Sequence, residues 1–180
     1  MKEYQSWYIT GEAILDDLMA LMNLSDEETA LLAALTAEAQ AITPELSEAF
    51  YHRLLAYAPT AEYLEGKLGR LRVTLQNWFV QLFQGSYDQA YFQKRLKVGQ
   101  THVRIGLPIR YPLAMMDVML KFGQQVASQS PRPQQAMTAF SKLLALDIAI
   151  FYQAYEDAYL HCLAEALGDK HLARQRLLGE

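Results

Sequence analysis

Apolar residues recur at intervals of three and four along most of this chain, and polar or chain-breaking residues interrupt them at a few points. Proline and glycine mark those points: Pro44, Pro59, Gly66 and Gly69, Gly85, the stretch 106–112, and the stretch 131–133. Between them the spacing predicts helices. The first covers residues 10–22. The second starts at Ser25, where Ser25-Asp26-Glu27-Glu28 has the form of a capping box, a hydroxyl followed three residues later by Glu. It is expected to reach about residue 41. Thr43 and Pro44 then read as the start of a third helix, with Thr as cap and Pro at the first helical position. This helix carries Leu46, Phe50, Leu54 and Leu55 on one side and ends before Pro59. Residues 69–83 form a further helix with Leu71, Val73, Leu75, Trp78, Phe79 and Leu82. A turn at 85–88 leads into a helix over 88–105. Another helix runs from Pro108 to about residue 127, and a polar loop spans 128–133. The last helix, 134–167, is about 50 Å long at a rise of roughly 1.5 Å per residue. Residues 168–180 are polar and read as a tail or linker. No stretch alternates strictly over five residues with turn signals on both sides. The fold class is all-α, and the unequal helix lengths favour crossing helices over a symmetric four-helix bundle.

Composition narrows the class further. The chain has 180 residues, 52% of them hydrophobic, enough for one domain with a sizeable core. Leu and Ala dominate, and their unbranched side chains lose little rotamer freedom in a helix. The net charge is −4 with both signs interspersed, which is not the footprint of a nucleic-acid binder. The single cysteine, Cys162, excludes an internal disulfide framework and suits a reducing cytosol. On the last helix it is expected to be buried. No targeting pattern opens the chain. The apolar stretch 13–22 contains Asp16 and Asp17, and the stretch 143–155 contains Asp147 and Gln153. Neither gives the roughly 18 apolar residues of a membrane helix. The expectation is a cytoplasmic protein that binds neither membrane nor nucleic acid.

The chemistry concentrates late in the helix over 88–105. His102 shares a face with Val98 and Ile105, four residues before it and three after. Gly99, one turn earlier, removes a side chain, so something wide and flat could approach the backbone there. Gly106 and Pro108 stop the helix. A neutral imidazole in an apolar frame is what a haem iron needs from its proximal side. The blander reading is that a lone histidine on a partly apolar helix is more often a packed or surface residue than a ligand. Elsewhere no Gly-rich phosphate loop, Cys–His metal spacing or nucleophile elbow appears, and the carboxylates are scattered.

The run His102-Val103-Arg104-Ile105-Gly106-Leu107-Pro108, with Arg110-Tyr111 after it, closely resembles the proximal region of globin-coupled sensors. So do the upstream segment Tyr87-Asp88-Gln89-Ala90-Tyr91-Phe92 and the Phe50-Tyr51 pair, and the resemblance spans about residues 25–167. It implies a globin-like fold with an extra N-terminal helix over 1–24, a sensor globin domain over 25–167, and a C-terminal tail or linker over 168–180. It also implies a haem b cofactor with His102 as iron ligand, and Tyr51 on the opposite side as hydrogen-bond donor. Oxygen draws negative charge from ferrous haem, so such a donor favours it over neutral carbon monoxide. A hydrogen bond to a charged partner is worth about 1.5–3 kcal/mol, roughly ten- to a hundredfold. Leu71, Thr74, Leu75 and Trp78 recur at helical spacing and would line the same side. Thr74 would offer a second hydroxyl, unless it bonds back to its own helix. Val98 and Ile105 would frame His102. His52 points away from Tyr51, and His161 and His171 read as surface residues. Lys94, Arg95, Lys97 and Arg104 form a basic face, a solvated one or a source of partners for haem propionates.

The same resemblance implies a homodimer through the helices over 108–127 and 134–167. It implies O2 as ligand, with CO or NO as further ones. It also implies a covalently linked output domain of diguanylate cyclase, kinase or chemotaxis type. No such module follows here, so the chain reads as an excised or stand-alone sensor and not as an enzyme. Two other readings stay open: a haem globin that consumes NO or O2, and a haem-free helical interaction domain.

Overall fold

A computed structural model describes residue 6 and residues 9–177. All regular structure among them is helical. In chain order the helices are α1 (Ala13–Met22), α2 (Asp26–Ala33), α3 (Thr36–Leu55), the short α4 (Ala58–Ala61) with a 3-10 turn at Glu62–Leu64, α5 (Leu68–Gln81), α6 (Gln89–Arg104), α7 (Arg110–Ala114), α8 (Met116–Ala127), α9 (Pro133–Leu167) and α10 (Lys170–Leu177). The all-α expectation holds, with crossing helices in place of a symmetric bundle.

The capping box at Ser25 forms in both directions: its hydroxyl accepts from the Glu28 N–H, and Glu28 reaches back to the Ser25 N–H. The expected break at Thr43-Pro44 does not occur. The chain bends earlier, at Ala34 and Leu35, where the Thr36 hydroxyl lies against the carbonyls of Ala33 and Phe83. Pro44 lies inside α3. It has no N–H for the Gln40 carbonyl, which costs a helix one bond. The Thr43 hydroxyl donates to that carbonyl at 2.9 Å, so the helix runs through. Thr43 therefore repairs the proline site instead of capping a new helix. The single helix expected over 108–127 is likewise split. Its joint is Met115, whose N–H is shared between the carbonyls of Tyr111 and Pro112. At the other end, within the segment expected as a tail or linker, residues 170–177 are helical. Gly168, at φ +69°, turns the chain, and the Asp169 carboxylate accepts from the N–H groups of His171 and Leu172 to start α10, which packs on α9.

The core lies along α9, which packs against α1, α2, α6, α8 and α10. Phe79, Phe83, Phe92, Phe122 and Phe140 are sealed within it, and the Phe83 and Phe140 rings stack at 5.4 Å. A Cβ at Gly123 would fall 1.8 Å from the Phe140 ring, so α8 reaches α9 only because that side chain is missing. The Lys142 ammonium on α9 holds the α1–α2 turn through the Asn23 carbonyl and Glu28. No helix among the described residues is long and apolar enough to cross a membrane.

Candidate functional site

Helix α6 starts where the Asp88 side chain accepts from the Tyr91 N–H at 2.9 Å. From there Tyr91, Arg95, Gly99 and His102 recur at helical spacing and form one stripe. The stripe lies on α9. Tyr91 donates its hydroxyl proton to Asp147. The Arg95 Nε sits 3.0 Å from Asp147 Oδ2, an ion pair by distance, although too far off line for a hydrogen bond. Gly99 meets the Phe151 backbone and Ala154: a Cβ there would stand 3.0 Å from the Phe151 carbonyl oxygen and 2.7 Å from the Ala154 Cβ. The space at Gly99 is thus filled by α9, not left for a flat group as the sequence suggested.

His102 follows on the same stripe. Its ring edge meets the Phe151 ring at 5.1 Å and 70°. Its Nδ1 lies 2.8 Å from the Val98 carbonyl oxygen. A carbonyl can only accept, so Nδ1 carries the proton and Nε2 keeps a lone pair. Nε2 has no partner among the described residues. Burial, only partly opposed by the Val98 bond, holds the imidazole below its ordinary pKa and therefore neutral.

A second wall faces this one. Helix α5 packs on α3, fixed by Arg72 to Glu48 at 2.6 Å and by Gln76 to Ser47 at 3.0 Å. Helices α5 and α6 make no extended backbone contact with each other. They are joined at two places. At one, Arg95 donates to the Trp78 carbonyl and to Gln81, both at 3.1 Å, with its guanidinium between the Trp78 and Tyr91 rings. At the other, Tyr63, just before α5, donates to the Gly106 carbonyl just after α6. The two joints set an antiparallel register. It puts Leu71, Thr74 and Leu75 level with the segment from Val98 to His102. The bonds at Glu48 and Ser47 put Tyr51, one turn further along α3, level with the start of α5.

Leu75 and Trp78 pack against the core from this side. Leu71, Leu75, Trp78 and Val98 are half-buried, and Ile105 is exposed. Tyr51 is 5% exposed, and its hydroxyl has no hydrogen-bond partner among the described residues. Burial pushes that phenol up to about 12, so it remains a donor across the whole neutral range. Thr74 is exposed and donates its hydroxyl to the Arg70 carbonyl at 3.0 Å, which leaves only its lone pairs for other use. The donor set fits an iron porphyrin: one neutral imidazole nitrogen, half-buried apolar side chains on α5 and α6, and a phenol with no partner among the described residues.

Other sequence readings change. Arg95 is 3% exposed and belongs to no solvated face. Lys94, Lys97 and Arg104 are exposed. Cys162 is exposed, not buried. His52 is exposed, and His161 pairs with Glu165 at 3.4 Å. Asp147, Phe151 and Tyr155 escaped the sequence reading as site residues. Asp147 had a signal: a carboxylate in the middle of an apolar helix face needs a buried partner.

A family model described as Protoglobin matches residues 11–161 of this chain. Among solved structures, the globin domain of a globin-coupled sensor from Geobacter sulfurreducens is 33% identical, with a TM-score of 0.73. The match covers 78% of this chain and 96% of that one.

The joint at Arg95 generates a prediction. Burial pushes the Asp147 carboxyl up and Arg95 opposes that, so Arg95→Met forces Asp147 either to bind a proton or to stay a buried unpaired charge, and urea denaturation should show a loss of up to about 3–5 kcal/mol. Adding Asp147→Leu should recover part of that loss. Full stability in the single variant would refute the pairing.

Proposed function

This chain belongs to the protoglobin family, and on that footing we propose that it is a haem-based gas sensor in which His102 holds the iron and Tyr51 donates a hydrogen bond to the gas. The observation that carries the reading is the state of His102. Its Nδ1 proton is committed to Val98, it is neutral, and its Nε2 has no partner among the described residues. A committed Nδ1–H fixes the tautomer and ring orientation that iron ligation requires. Val98, Ile105, Leu71, Leu75 and Trp78 would enclose haem b and exclude water. Held by His102, ferrous haem would supply reversible binding of a diatomic gas. Tyr51 would favour oxygen over carbon monoxide there, and Thr74 would at most accept a bond from water. The similarity to a sensor's globin domain supports a sensing role over turnover of the gas.

The signal would leave through a homodimer built on α8 and α9. Tyr152 and Tyr159 support this: both lie on α9 and are 53% and 57% exposed, large aromatic areas of the kind that mark a partner surface. An output domain joined to the chain would read the arrangement of those helices, shifted between two populations by the gas.

Three outcomes are expected. Protein loaded with haemin is red with a Soret band, and His102→Ala loses most of it; a colourless wild type that takes up no haem would sink the reading. Tyr51→Phe raises the oxygen dissociation rate about ten- to a hundredfold, with a smaller effect on carbon monoxide. An unchanged oxygen rate in stopped flow would remove Tyr51 from the role. Sedimentation at micromolar concentration shows a dimer, and a monomer there would reject the interface.

A further inference from the structure

The His102 imidazole is held from two sides. Its own helix holds one edge through the Val98 carbonyl, and Phe151 of α9 meets the ring from another element. Phe151 is itself fixed. Its backbone lies against Gly99, and its ring packs on Tyr155 at 5.6 Å. The Tyr155 hydroxyl donates to the Leu107 carbonyl at 2.8 Å. The Leu107 N–H in turn donates to the His102 carbonyl at 3.0 Å. These contacts form a closed circuit from His102 through Phe151, Tyr155 and Leu107 back to His102. Two turns back along the stripe, the Arg95–Asp147 pair ties the same two helices.

We propose that Phe151 is a positioning residue for the His102 imidazole, and that this circuit is where a tilt of the imidazole passes from α6 into α9. The proposal rests on His102 being the iron ligand. Packed interiors do not absorb such a displacement locally, because there is little empty volume to take it up. With Gly99 against the α9 backbone, α6 has no side-chain cushion at this level. The ring of Phe151 is therefore the first group of α9 to feel the imidazole. The next residue, Tyr152, lies on the exposed side of the same helix. Displacement of Phe151 thus reaches the surface of α9 within one residue.

The test uses the full 180-residue chain loaded with haem, in the ferrous state, as wild type, Phe151→Leu, Phe151→Tyr and Tyr155→Phe. The Leu variant keeps apolar volume but loses the ring edge; the Tyr variant keeps the ring edge. Resonance Raman reads the iron–histidine stretching band, and hydrogen exchange reads α9 with and without carbon monoxide. Phe151→Leu should bind haem with a normal Soret band, broaden and shift the iron–histidine band, and lose most of the carbon monoxide-dependent change in α9. Phe151→Tyr should retain both. Tyr155→Phe removes one hydroxyl with little change in packing, and should reduce the exchange response. A wild-type band together with a full exchange response in Phe151→Leu would overturn the proposal. So would a wild type with no response in α9. Absence of any Soret band in the wild type is a different result, and would overturn the haem reading itself.

Discussion

The contact of α6 with α9 governs the rest of the architecture. It brings two opposite charges, Arg95 and Asp147, to 3.0 Å with almost no water around either. Such a pair contributes little net stability, because desolvation offsets most of the attraction. What it contributes is register. Sliding α6 by one turn along α9 would separate the charges and leave each unpaired in a medium that cannot solvate it. Gly99 adds a steric condition, since the helices meet there with no Cβ between them. Electrostatics and close packing thus select the same alignment, and that alignment places His102 beside Phe151.

The arrangement of the candidate site follows from how its helices are tied. Helix α5 belongs to α3, and α6 belongs to α9. The two walls meet at Arg95 and at Tyr63, and between these joints their apolar side chains remain half-buried. The two sides also differ in chemistry. One offers a nitrogen lone pair on a neutral ring, and the other offers an O–H that burial keeps protonated. A neutral nitrogen donor and a protonated phenol are the two groups that the proposed haem site calls for.

Most helices were legible in the spacing of apolar residues and in their caps, Ser25 and Asp88 above all. The failures have specific causes. Thr43-Pro44 has the form of a helix start, and only the bond from the Thr43 hydroxyl to Gln40 turns it into a repair within a longer helix. Arg95 sits in a basic run with Lys94 and Lys97, which reads as a solvated face. Its burial depends on Asp147, 52 positions away in the chain. Gly99 is correctly read as a place of close approach, but the approaching group is α9.

By itself the sequence determined the class, the helix order and the motif around His102. These depend on residues within a turn or two of one another, or on a run of identities recognisable as a family pattern. Which helix each site residue meets follows from the tertiary packing alone. It set Tyr51 level with the start of α5, joined Arg95 to Asp147, and put Phe151 against the imidazole. Those pairings join helices far apart in the chain. Helical periodicity says which face is apolar, but not what that face meets.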